Sequence, residues 1–289
     1  MVLYYNMLNP EAIPLLNPTA RYAFELASTQ DNTILQVSLL IDGQIVDAQR
    51  KARDSGYEEL PDFTNELSSL TDQAYDALAH VDKRGEGTWV DYYRLVSQTA
   101  FLEQRLKVPL AFEQHRYWKE REELVNGMYG VSAHIIHEAL CEHDSPTATL
   151  KNKKQLRGVI QEQTFIALFN KDQQRNHIAL PSAAYEDLYH KIDAEVWVLQ
   201  DKQSEAYYLP VQIKSIAQSH EQHVTPYGGI TIIANEFSNQ YLGISRLIAQ
   251  EYNHMIGSDE PLTATQQAHL KMAHERLFAT MECKAQFKV

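Results

Sequence analysis

Ile192-Asp193-Ala194-Glu195-Val196-Trp197-Val198-Leu199 and the stretch from Tyr207 to Ser215, which ends Val211-Gln212-Ile213-Lys214-Ser215, decide how this 289-residue chain is read. Both runs are rich in β-branched and aromatic residues. Between them lies Gln200-Asp201-Lys202-Gln203-Ser204-Glu205, a polar turn. The spacing predicts two neighbouring strands. Residues i and i+2 of a strand point to one face, so Gln212 and Lys214 project together. If the runs pair, Asp193 reaches that face, which then holds a carboxylate, an amide oxygen and an ammonium.

Working outward, the segment Gln155–Asn170 is apolar and amphipathic and is read as a helix. Glu162 sits within it among apolar neighbours. Thr231–Ala234, after Gly228-Gly229, is a further strand candidate. The C-terminal stripes Tyr241, Ile244, Ile248, Tyr252, Met255 and Leu270, His274, Leu277, Met281 predict two more helices. Before residue 144 the pattern is mostly helical. Leu67, Leu70, Ala74, Leu78 and Val81 make one stripe. Leu95, Thr99, Leu102 and Leu106 make a second, and Leu124, Met128, Val131, Ile135 and Ala139 a third. Thr33–Val46 is the exception: its β-formers and Asp42-Gly43 predict a hairpin. Asp144-Ser145-Pro146-Thr147 reads as a break. The expected class is therefore α+β, with a helical N-terminal region over 1–148 and a small sheet flanked by helices over 149–289.

Formal net charge is −12, unusual for a nucleic-acid binder, so its distribution matters more than its total. Residues 1–150 hold 12 basic and 23 acidic side chains. Residues 151–175 reverse this with 6 basic and 2 acidic. Lys151, Lys153, Lys154 and Arg157 open that stretch and could grip phosphates. No apolar run approaches the ~20 residues that span a bilayer. The opening residues lack the basic n-region of a secretory signal. Two distant cysteines, Cys141 and Cys283, fit a reduced cytoplasmic setting better than a disulfide framework.

The oxygen-rich set at Asp193 and Gln212 suits a hard cation such as Mg²⁺ or Mn²⁺, usually held by one or two carboxylates plus substrate phosphate. Such a metal acidifies bound water and neutralises charge on a phosphodiester. Lys214 would orient or deprotonate the attacking water, or neutralise the phosphate. A second carboxylate is needed, and Glu162 is the choice.

Helical Glu162, then Asp193, eighteen residues, and Gln212-Ile213-Lys214 together resemble the PD-(D/E)XK nuclease superfamily, the restriction-endonuclease-like fold, over roughly residues 150–235. The resemblance implies a small mixed sheet flanked by helices. It makes Asp193, Gln212 and Glu162 metal-binding, with the Ile213 carbonyl facing the metal, and Lys214 the catalytic lysine. It also implies Mg²⁺-dependent cleavage of DNA, as in a restriction or defence endonuclease, with RNA left open as substrate. Two residues depart from the family pattern. Ile192 stands where proline is frequent, and Gln212 stands where an acidic residue is usual, which removes a charge. The family also places a helix between its third and fourth strands, and here Ile216–Gly229 holds Pro226 and a glycine pair.

The alternative is a nuclease-fold protein that no longer cleaves and serves as a nucleic-acid-binding or protein-interaction module, which Gln212 and the acidic N-terminal half favour. Two-strand cleavage commonly uses a symmetric dimer, and the Tyr241–Met255 stripe offers an apolar face for a homodimer. His134, His137 and Cys141 share a helix face, but the metalloprotease pattern fails because Cys141 stands where its second His would fall. A polar helix end is the preferred reading there. Tyr117, Trp118 and Tyr129 are read as helix packing rather than base stacking.

Overall fold

The structure is a computed structural model that describes residues 33–56, 68, 72, 89–114, 117–125, 127–171, 177–199, 206–215, 229–238 and 240–285. It is mixed α+β, mostly helical, with one four-stranded mixed sheet. The chain divides into two compact units. One comprises Met1–Leu110 with Ala183–Leu188, and the other Ala111–Ser182 with Tyr189–Val289.

The first unit is built on α1 (Thr33–Asp54), α2 (Trp89–Ala100) and the start of α3 (Leu102–Glu113). The hairpin expected over Thr33–Val46 is instead the first part of a 22-residue helix. Ile34, Val37, Ile41, Ile45, Ala48 and Ala52 recur at helical spacing and are all buried, packing with Leu95, Leu102, Leu106 and Leu110. That apolar stripe outweighs the β propensity of Ile and Val and the cost of Gly43 in a helix interior, about 1 kcal/mol. Asp42 is a buried acid rather than a turn residue. Its carboxylate accepts from Arg105 (2.7 Å) and Gln98 (2.8 Å) through Oδ1, and from the Tyr185 N–H (2.9 Å) through Oδ2. Arg94 pairs with Asp187 and Asp91. The Ala183–Leu188 segment is thus held within the first unit by Asp42 and Arg94.

The stripe read through Leu95 and Leu106 is two helices, broken at Phe101. Pro109 within α3 cannot donate to the Arg105 carbonyl. Gln49 Nε2 supplies that bond at 2.8 Å. The Leu67–Val81 stripe lies outside the described residues, apart from Ser68 and Asp72, which are helical.

In the second unit the stripe through Leu124 and Ala139 is also divided, into α4 (Tyr117–Val125) and α5 (Met128–Asp144). The break falls at Gly127, whose φ of 80° a side chain would resist. After α5, residues Ser145–Thr149 break the helix near the expected place, and Thr149 caps α6 (Leu150–Asn170) by accepting from the Asn152 N–H. This helix begins five residues earlier than its apolar pattern, because the cap and the lysines supply its first turns.

From Val159 to Asn170 every residue of α6 is buried except Glu162, which is half-buried. Thr164 on α6 meets Ser245 on α8 (Tyr241–Met255) at 2.8 Å. Phe165, Phe169 and Phe278 stack in turn, the last from α9 (Ala264–Ala285). Ile244 and Ile248 of α8 are buried, and α8 packs on α5 and α6. Within the stripe offered for a homodimer, Ile244 and Ile248 thus face the chain's own core, while Met255 at its end is exposed.

The sheet order is β1-β2-β3-β4. β1 (His177–Pro181), absent from the sequence reading, pairs antiparallel with β2 (Ala194–Leu199). β2 pairs antiparallel with β3 (Ala206–Lys214), as expected. β3 runs parallel to β4 (Ile230–Ile233), which leads into the short α7 (Ala234–Phe237). The residues joining β3 to β4, 216–228, lie outside the described residues, as does the 200–205 turn.

β1 is an edge strand, and Asn170 closes it. Its amide donates to the Ala179 carbonyl at 2.7 Å and accepts from the Ala179 N–H at 2.9 Å. Asn170→Ala leaves both groups buried and unpaired, at about 1–3 kcal/mol each. A fall of that order in denaturant-derived stability is the expected result, and unchanged stability would contradict the role given to Asn170.

Candidate functional site

The β2–β3 register pairs Ala194 with Val211 and Glu195 with Pro210. Continued by one step, it sets position 193 opposite Gln212. The ladder bends there. The Asp193 N–H donates to the Val211 carbonyl at 2.9 Å, although Val211 is already paired with Ala194. Two residues of one strand then oppose one of the other, the pattern of a β-bulge, which re-aims a side chain. The carboxylate turns onto β3, where Asp193 Oδ2 accepts the Ile213 N–H at 2.5 Å. The Ile192 carbonyl, the next expected acceptor for that N–H, takes the Ser182 hydroxyl instead at 2.5 Å. In a strand pair one residue directs both its N–H and its C=O to the same neighbour. The Ile213 carbonyl therefore points toward the side on which Asp193 lies.

Gln212 and Lys214 share one face of β3. Gln212 is buried at 5% exposure, while Lys214 is exposed. Of the expected residues, the structure brings Asp193, Gln212, Ile213 and Lys214 to one end of one hairpin. Glu162 stands on α6, which packs against β1 and β3. Its Oε1 leans back to within 4.0 Å of where a Cβ on Gly158 would stand. That places the carboxylate over the preceding turn of α6. Lys151, Lys154 and Arg157 are exposed, and Lys153 is half-exposed. They occupy the first two turns of α6, where the helix N-terminus also favours anions.

The other clusters have structural partners. Lys171 bonds Glu251 at 2.8 Å and lies 4.7 Å over the Tyr129 ring, while Tyr129 donates to Glu251, so Tyr129 is packed rather than open to a base. Burial and the neighbouring carboxylate push the Tyr129 phenol well above its ordinary range. The side chains of Tyr117 and Trp118 lie outside what is described. On α5, His134 meets the Tyr252 hydroxyl at 3.1 Å, and His137 lies 3.9 Å from Cys141. Among the described residues no three His, Cys, Asp or Glu side chains gather as metal ligands. At the end of α5, the neighbouring His143 and Arg246 hold the Asp144 carboxyl below its usual range. Among the described residues no helix is long and apolar enough to cross a membrane.

One residue of the hairpin escaped the sequence reading. Glu195 alternates with Ala194 and Val196, so it lies on the face of Pro210, Gln212 and Lys214. Only the cross-strand register reveals this. No protein-family profile, curated protein or solved structure matches the chain.

Proposed function

We propose that the chain is a Mg²⁺- or Mn²⁺-dependent phosphodiesterase acting on DNA, with the restriction-endonuclease-like fold. The observation that carries this reading is the Asp193 carboxylate bonded to the Ile213 N–H, between Gln212 and Lys214. The sequence of elements adds support: a helix bearing Glu162, three antiparallel strands, then a fourth parallel to the third. So does the exposure of Glu162, which alone in a 12-residue buried stretch keeps contact with solvent.

The donors fit a hard cation. Asp193, Gln212, the Ile213 carbonyl and Glu162 present only oxygen, without the thiolate or imidazole that zinc favours. Bound there, the cation would supply an acidified water and charge neutralisation at the phosphodiester. The chain's own groups do the rest. The exposed Lys214 ammonium opposes charge growing on the phosphate or orders the attacking water. Lys151, Lys154 and Arg157 hold flanking phosphates, with binding that weakens as salt rises.

The test is incubation of the whole protein with linear, circular and single-stranded DNA, and with RNA, in Mg²⁺, Mn²⁺ or EDTA. Metal-dependent cleavage that disappears in Asp193→Ala is expected. Activity that survives this change, or none on any substrate, would sink the reading. A second reading, a nuclease-fold binding module, is favoured by Gln212 in place of an acid and by the Asp193 oxygen already engaged with Ile213. Its mark is DNA retention without cleavage in any metal.

A further inference from the structure

We infer that the connection from β1 to β2, residues 182–193, is a strap through which the first unit sets the position of the Asp193 carboxylate. Its bearing on cleavage rests on the nuclease reading above; the coupling itself rests on hydrogen bonds. Ala183–Leu188 belongs to the first unit, while Ser182 and the chain from Tyr189 onward belong to the second. The strap is pinned in both. At its neck the Ser182 hydroxyl donates to the Ile192 carbonyl at 2.5 Å, and the Ser182 N–H donates to the Asp193 carbonyl at 3.4 Å. At its apex the Tyr185 N–H donates to Asp42 at 2.9 Å. Arg94 donates there to Asp187 through Nε at 2.7 Å and Nη2 at 2.5 Å.

The backbone between these pins is not relaxed. Glu186–His190 forms a single turn of π-helix, a rare conformation. Lys191 follows at φ 59°, the one non-glycine residue in the left-handed region among the described residues. A lysine lacks the freedom of glycine there. Such strain persists only where the surroundings over-determine it. Here they are the Tyr185 and Asp187 anchors on one side and the Ser182 neck on the other.

Asp193 lies two residues beyond that strained point. Its carboxylate takes the Ile213 N–H because the Ile192 carbonyl is turned out of the ladder toward Ser182. Release of the Asp187 anchor lets Lys191 return to negative φ. The Ile192 carbonyl and the Asp193 carboxylate then lose their set directions, and the Ile213 N–H loses its acceptor. The strap thus gives the acid two arrangements, bound to Ile213 or free of it, and the ion pair made by Arg94 of α2 biases the choice.

The experiment is hydrogen exchange of the whole protein, read by NMR at the Ile213 amide, for wild type, Arg94→Ala and Asp187→Ala. The Ile135 amide of α5 serves as reference. Exchange at Ile213 should rise by about tenfold or more in both variants, the change that accompanies loss of a hydrogen bond to a charged group. Exchange at Ile135 should stay as in wild type. Wild-type exchange at Ile213 in the variants overturns the inference. So does a rise shared equally by Ile135, because that reports general loosening of the second unit. If Arg94→Ala does not fold, Asp187→Ala decides, since it leaves Arg94 its Asp91 partner. A cleavage assay separates the two readings. A wild type that cleaves no DNA removes the nuclease reading and leaves the exchange result to judge the strap. If the wild type cleaves, Asp187→Ala should cleave more slowly, and an equal rate overturns the strap's hold on the site.

Discussion

Lys214→Ala lowers metal-dependent DNA cleavage by about 10²–10⁴-fold, the span expected when a positioned proton-transfer group is removed. Lys214 ends β3, exposed, two residues from Gln212 and one from the Ile213 N–H that Asp193 accepts. Its ammonium is the nearest cation along the chain to that hairpin end. It is absent from the proposed ligand set, so Mn²⁺ titration should still report binding in the alanine variant. Lys214→Arg separates two roles. Arginine keeps the positive charge but cannot give up a proton near neutral pH. Partial rescue identifies charge neutralisation, and an arginine variant as inactive as alanine identifies proton transfer. A Lys214→Ala variant that cleaves at the wild-type rate would remove the lysine from the mechanism.

Arg105→Ala destabilises the protein by about 3–5 kcal/mol, the range for breaking one side of a buried ion pair. Arg105 and Asp42 are 8% and 6% exposed. Asp42 Oδ1 takes both Arg105 and Gln98, and Oδ2 takes the Tyr185 N–H, so no water need replace a lost partner. Removal of Arg105 strands a charge, whereas removal of Asp42 strands a guanidinium, an amide and a backbone N–H. The double variant Asp42→Leu with Arg105→Leu should recover part of the loss, because no buried charge remains.

A pH dependence follows. Burial pushes the Asp42 carboxyl above its ordinary value near 3.8, against the opposing pull of Arg105. The folded chain then holds this proton to higher pH than the unfolded one. Its contribution to stability is greatest below about 3.8 and declines as pH rises through the raised value. Asp42→Asn should abolish that decline in denaturation midpoints measured across pH. Equal midpoints for Arg105→Ala and wild type would refute the burial argument.

How much of this was legible in the sequence depends on range. The β2–β3 hairpin could be read because both strands alternate and a polar turn divides them. Gln212 and Lys214 followed from the i, i+2 rule alone. Asp193 was expected by simple alternation, but it reaches β3 through a bulge that no local pattern encodes. The α1 helix was misread because Ile, Val and Asp42-Gly43 are strong local β signals, although the helical stripe from Ile34 to Ala52 was present beneath them. β1 was missed because five residues ending in Pro181 are too short to show a period. The place of Glu195 opposite Pro210 stayed hidden for a different reason: register is a property of two strands.

Asn170 sets a limit on how copies of this molecule can associate. A sheet grows when an open strand offers its backbone to another chain. Here one side-chain amide takes the place of the next strand at Ala179, donating and accepting as a peptide would. At that rung β1 offers no peptide group to a second molecule. Substitution of Asn170 would thus do more than lower stability, because it would convert a terminated ladder into a template for intermolecular strand addition.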